Sequence, residues 1–268
     1  MLKQRLLVAF ILLPVGIGMI ILGGLPFVIF ILIFLGLAAW EYVQLMRRGG
    51  YQASMLVVVG GTILLSFSRF YFRFQYADLL ISVIILAAIT IHLVAFEKGR
   101  NIAATDFAMT LGGFFYIGWL GAYLISLRQL PDGFWWFMVA LPASWLADAG
   151  AYFIGSRFGK HKLSPRSSPK KTWEGYWGGV MVGTLGTLGL TFLWQAWGSQ
   201  IAPWQGAVIG LLISLITPLG DLAESVFKRQ VGVKDSSNIL PGHGGFFDRI
   251  DSWLWAGVIG YYLILIWQ

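Results

Sequence analysis

Residues 1–24, MLKQRLLVAFILLPVGIGMIILGG, open with Lys3 and Arg5 and then run apolar with no further charge. The basic start and apolar run resemble a secretory signal. However, no convincing small-residue cleavage site follows and the apolar sequence continues, so the stretch reads as a retained first membrane span. Apolar runs of similar length recur to the end of the chain. At about 17–25 residues, each is long enough to cross ~30 Å of hydrocarbon as a helix. The pattern places spans near residues 6–23, 25–46, 53–68, 77–96, 107–127, 133–155, 175–195, 204–222 and 253–267. Strict polar–apolar alternation, which a membrane barrel needs, is absent, so the spans are helices that satisfy their own backbone groups. The expected fold class is all-α: a polytopic membrane protein with about nine transmembrane helices and a cytoplasmic N-terminus.

Composition agrees with this reading. Of 268 residues, 57% are hydrophobic and 12% charged, more apolar surface than one soluble core can hide. The chain has no cysteine, which removes disulfides, thiolate metal sites and thiol nucleophiles. With the N-terminus inside, two Lys/Arg fall in each of 1–5, 47–52 and 97–106, six in 156–174 and four in 223–252, which makes 16 of the 19. Only Arg69, Arg73 and Arg128 fall outside, as the positive-inside rule requires for an odd number of spans. The net charge of +7 therefore reflects topology, and no nucleic-acid partner is expected. Tryptophans 135, 136, 194, 197, 204, 253 and 267 lie near span ends, where an amphipathic ring anchors at headgroup level. The chain divides into N-terminal transmembrane helices over 1–140, about five spans, and a C-terminal catalytic region over 141–268. Two cytoplasmic loops, 156–174 and 223–252, interrupt that second region.

Those loops hold polarity that topology does not explain. Seven of the twelve acidic residues lie in them or at adjacent span ends: Asp148, Glu174, Asp221, Glu224, Asp235, Asp248 and Asp251. Carboxylates at a membrane are costly, so such a set calls for a bound cation or an anionic substrate. Asp221, Glu224, Ser225 and Lys228, at i, i+3, i+4 and i+7, share one face if the stretch is helical. Asp248 and Asp251 are three apart at the start of the last span, so two helix ends can bring Asp221 and Asp248 together. Hard oxygen ligands without cysteine favour Mg²⁺ over zinc. Salt bridges to Lys228 or Arg249 are the alternative for Glu224 or Asp251. Ser225 is open between a ligand, a helix-face hydroxyl and a packing residue.

Between these helix ends, residues 234–249 read KDSSNILPGHGGFFDR, where Gly242, Gly244 and Gly245 let backbone N–H groups approach an anion. Lys234, Asp235, His243 and Arg249 add charge suited to phosphate and metal neutralisation. No P-loop and no GxGxxG after a strand is present. In the other loop, Ser168, Lys170, Lys171, Thr172 and Glu174 crowd the start of a span, and a helix N-terminus favours phosphate. For Arg157, Lys160 and Lys162, nonspecific headgroup binding is the competing reading. Asp148, Tyr152 and Gly155 form one helical stripe facing the same region. His92 reads as interfacial and His161 as part of the basic loop.

Residues 225–251, SVFKRQVGVKDSSNILPGHGGFFDRID, resemble the phosphatidate cytidylyltransferase signature at every fixed position. The stretches Asp148 to Gly155 and Ser168 to Gly175 resemble further motifs of that family. The resemblance implies a Mg²⁺-dependent reaction of CTP with phosphatidic acid that forms CDP-diacylglycerol and pyrophosphate. It places the protein in the inner membrane among membrane lipids, with its active site facing the cytoplasm. It implies that Asp221 and Asp248 hold metal, with Glu224 and Asp251 as further ligands. Lys228, Arg229, Lys234 and Arg249 would neutralise the triphosphate, and Gly244 and Gly245 would form the close-approach loop. Ser168, Lys170, Lys171 and Thr172 would contact phosphate, and Asp148, Ser225 and His243 would complete the substrate site. A homodimer is entertained as the assembly. The rivals are a cytidylyltransferase acting on ether-lipid phosphates, a CTP-using lipid-alcohol kinase and, in another class, a transporter.

Overall fold

The computed structural model describes residues 2–237, 239, 242 and 244–268, and of residues 2–9 and 11 the backbone alone. His243 lies outside the described residues. Helices form where uninterrupted apolar sequence leaves the backbone no partner but itself. They are α1 (Leu2–Leu22), α2 (Gly24–Arg48), α3 (Gly61–Phe72), α4 (Ala77–Glu97), α5 (Ala103–Gly113), α6 (Leu120–Arg128), α7 (Gly133–Phe158), α8 (Trp173–Gln195), α9 (Pro203–Ile216), α10 (Pro218–Gln230) and α11 (Phe247–Trp267). Gly23, at φ 61°, separates α1 from α2 in a conformation that favours glycine.

Among the described residues, seven segments are long and apolar enough to cross a membrane: Gly24–Arg48, Ala77–Glu97, Ala103–Arg128, Gly133–Phe158, Trp173–Gln195, Pro203–Gln230 and Phe247–Trp267. Leu12–Leu22 and Leu56–Phe72 are shorter apolar helices. The chain is an all-α, multi-pass membrane protein whose strands form one small hairpin, β1 (Lys162–Ser164) with β2 (Ser168–Thr172).

Two helices outrun their expected spans. The eighth span was expected to end near 222, but α10 continues to Gln230; the ninth was expected to begin near 253, but α11 starts at Phe247. The extra turns are polar, so hydropathy did not show them. Asp221 in the first turn of α10, Lys228 and Arg229 in its last, and Asp248 in the first turn of α11 all suit the helix dipole.

The chain forms two compact units. The first comprises Met1–Ser126 and Phe227–Ile250, the second Leu127–Val226 and Asp251–Gln268. The sequence reading had grouped 223–252 with the C-terminal half.

In the first unit, α2 forms the centre, with Phe27, Ile31, Leu35, Ala38, Tyr42 and Leu45 buried. The Tyr42 ring meets Phe227 and Phe247 edge-on, and its hydroxyl donates to the Met109 carbonyl at 2.9 Å. Two π-helical turns, Leu56–Gly60 and Phe114–Trp119, interrupt the helices beside it. Near Glu97 and Ala103, Arg100 pairs with the buried Asp106 at 2.7 Å, and Asp106 accepts from the Gln52 N–H. His92, expected at the interface, is buried instead, because its Nε2 bonds the Thr110 hydroxyl at 2.8 Å.

The second unit packs α8 between α7 and α9 along small residues, which let helix backbones approach where lipid supplies no hydrophobic drive. A Cβ on Gly179 would lie 2.6 Å from the Ala147 carbonyl, and one on Gly183 would overlap the Ser214 hydroxyl. Trp194 donates to the Met138 carbonyl, and Trp136 and Trp204 both contact Trp267 near the helix ends.

Candidate active site

Close packing of α7 and α8 opens, at the hairpin end of the second unit, a cavity of about 450 Å³. The hairpin forms its rim. The Trp173 N–H donates to the His161 carbonyl, and Glu174 accepts from the N–H groups of Lys160 and His161 and pairs with His161 Nδ1 at 2.5 Å. Thr172 caps α8 by accepting from the Gly175 N–H at 3.2 Å. This anchoring aims Lys170, Lys171 and Thr172 into the cavity, which Asp148, Tyr152 and Asp221 also line. Ser168 pairs with Ser164 across the hairpin and is not part of the lining. The wall runs inward to Gly179 and Ser214, so the cavity has a charged mouth and an apolar depth.

Beyond Asp221, which lines the cavity, one carboxylate oxygen from each of Asp221, Glu224 and Asp251 lies within 4.8 Å of the others, with Glu224 and Asp251 buried. Lys171 Nζ stands 2.6 Å from Asp221 Oδ2 and 3.4 Å from the Pro218 carbonyl. Ser225 donates weakly to Asp221 at 3.4 Å, the helix-face hydroxyl among its three readings. Three carboxylates this close repel one another, and burial weakens screening, so the arrangement demands positive charge. Hard oxygens at this spacing fit a Mg²⁺-type cation, and the Lys171 ammonium already supplies one charge there.

The first unit holds the glycine-rich segment. Asp248 Oδ1 accepts from Lys228 Nζ at 2.6 Å, while Oδ2 accepts from the N–H groups of Ser236 and Gly245 and the Ser236 hydroxyl, at 2.7–3.0 Å. Asp221 groups with Glu224 and Asp251, and Asp248 is engaged within the first unit. Gly244 has φ 79°, and a Cβ there would lie 2.7 Å from Asp248 Oδ2. One on Gly245 would overlap the carboxylate of Glu41. The anions these glycines admit in the folded chain are its own carboxylates. Arg229, Lys234, Asp235 and Arg249 are exposed, and Arg229 donates to the Val233 carbonyl at 3.3 Å.

The sequence reading missed Glu41, a fully buried carboxylate on α2 that meets this same segment. Its signal was present: an acid inside the apolar run LGLAAWEYVQLM, where a charge is costly.

Residues 3–267 match the model of the cytidylyltransferase family. The chain belongs to that family. It is 36% identical to a phosphatidate cytidylyltransferase of Pseudomonas aeruginosa, with 100% of this chain and 97% of that protein aligned. Similar relatives of the same name come from Bacillus subtilis, 35% identical over 99% of the chain and 98% of that protein, and Synechocystis, 33% over 98% and 96%. Family membership covers the N-terminal helices as well as the motifs, so Glu41 and the 225–251 segment belong to one matched region.

Proposed function

We propose that this chain transfers the cytidylyl group of CTP to phosphatidic acid at the cytoplasmic face of the inner membrane, forming CDP-diacylglycerol and pyrophosphate for phospholipid synthesis. The observation that carries the reading is the joint placement of Lys170, Lys171 and Asp221 at the charged mouth of a cavity whose depth is apolar. A lipid phosphate is an anion on an apolar body, and it fits such a cavity headgroup outward.

In the reaction, a phosphate oxygen of phosphatidate attacks the α-phosphorus of CTP. That O–P bond forms as the bond from the α-phosphorus to the bridging oxygen breaks, and pyrophosphate leaves with the electron pair. The nucleophile is already an anion, so the protein's contribution is positioning and charge neutralisation. Asp221, Glu224 and Asp251 would hold Mg²⁺, which would supply positive charge to offset that of the phosphates. Lys171, which stands beside Asp221 at the cavity, would offer its ammonium to a phosphate oxygen. Lys170 and the Thr172 hydroxyl orient the headgroup, and Asp148 borders it. Lys228, Arg229, Lys234 and Arg249 supply the remaining positive charge that a triphosphate requires.

The test is purified protein in detergent with α-labelled CTP, phosphatidic acid and Mg²⁺. Labelled CDP-lipid and pyrophosphate should appear in equal amounts. Free CDP with a newly phosphorylated lipid would replace this reading with a kinase.

A further inference from the structure

Glu41 is a fully buried carboxylate in the middle of a membrane-spanning helix, and the proposed reaction gives it no role. Its oxygens accept from three donors and touch a fourth polar group, all in one segment about two hundred residues later. Oε1 accepts from the Ser237 hydroxyl at 2.6 Å and the Phe246 N–H at 3.0 Å; Oε2 accepts from the Phe247 N–H at 2.8 Å and contacts the Ser236 hydroxyl at 3.0 Å. One carboxylate thus holds both ends of the 236–247 loop. The same Ser236 hydroxyl lies 2.7 Å from Asp248 Oδ2, so Glu41, Ser236 and Asp248 form a continuous chain that ends at Lys228.

We propose that Glu41 is a positioning residue for nucleotide binding. It ties Ser237, Phe246 and Phe247 to α2 and thereby sets the orientation of Asp248 and, through it, of Lys228. The inference rests on the function proposed above for its kinetic consequence, but the tie itself does not.

The physical case has three parts. A carboxylate inside an apolar helix is retained only when its desolvation is compensated, and the Ser237 hydroxyl with the Phe246 and Phe247 N–H groups provides that compensation. Phe246 and Phe247 offer N–H groups at the start of α11, which have no partner within the helix and attract an anion. Gly245 must be glycine for Glu41 to reach them, because a Cβ would occupy the space of the carboxylate.

The experiment compares wild type, Glu41→Ala and Glu41→Gln as full-length protein in detergent. Amide exchange over residues 236–250 is followed beside steady-state kinetics. Glu41→Ala should speed exchange at Phe246 and Phe247, raise KM for CTP about tenfold and lower kcat about 100-fold, since a misplacement near 1 Å has that scale. Glutamine keeps one acceptor oxygen but sets its NH2 group against the N–H of Phe246 or Phe247, so Glu41→Gln should recover part of the loss in exchange and KM, with one of the two amides still exchanging fast. If Glu41→Ala leaves exchange at Phe246 and Phe247 and KM for CTP unchanged, and loses activity only in proportion to inactivated protein, the positioning role is refuted. Should wild type fail to use phosphatidic acid, the proposed function falls, and the exchange comparison still decides the tie to α2.

Discussion

The two units treat their acidic residues in opposite ways. In the first, the carboxylates of Glu41 and Asp248 receive backbone N–H groups and serine hydroxyls, with Lys228 on Asp248. In the second, Asp221, Glu224 and Asp251 approach one another, and the Lys171 ammonium stands at their edge. Carboxylates surrounded by neutral donors hold a backbone in place. Carboxylates facing one another demand a cation, and that demand can be met by a metal when substrate arrives. Asp248 and Asp251 lie three residues apart in one motif yet take part in different arrangements, so a motif by itself does not say which partners an acid meets.

The sharpest way to break this contrast is at the cluster. Asp221→Asn or Asp251→Asn should cost about 10³-fold in kcat and move the Mg²⁺ dependence to higher concentration, because each removes a charged ligand. Unchanged Mg²⁺ dependence in both would deny the cluster its metal. Next, Lys171→Ala should lower kcat/KM for phosphatidic acid about 100-fold, with Lys171→Arg intermediate; equal loss in the two variants would argue against a phosphate contact.

In the first unit, Gly245→Ala should act through the loop, destabilising it by about 2 kcal/mol, because the added methyl overlaps the Glu41 carboxylate. Faster exchange over 236–250 with an unshifted Mg²⁺ requirement would separate it from the cluster variants. The smallest effect belongs to His161→Ala. Its pair with Glu174 is solvent-exposed, and activity should stay within about twofold of wild type. A large loss there would mean that the hairpin depends on this pair to present Lys171.

Much of this was legible in the chain. Nine apolar runs marked the helices, since in hydrocarbon each span must satisfy its own backbone groups and so declares itself locally. Charge spacing placed Asp221, Glu224, Ser225 and Lys228 on one face if the stretch is helical, and α10 includes all four. Hydropathy could not show that α10 and α11 extend through polar turns, nor that residues 162–172 form a hairpin, because both follow from contacts rather than composition.

What the sequence determined by itself was the solvent, the helical class and the inventory of phosphate-directed and metal-directed residues. Only tertiary structure decided which acids meet. Asp251 joins Asp221 and Glu224, and an acid on the second helix holds a segment about two hundred residues away. The reason is physical: periodicity reports the face of an element. The partner of a buried carboxylate is set by which donors long-range packing leaves beside it, and no local pattern records that.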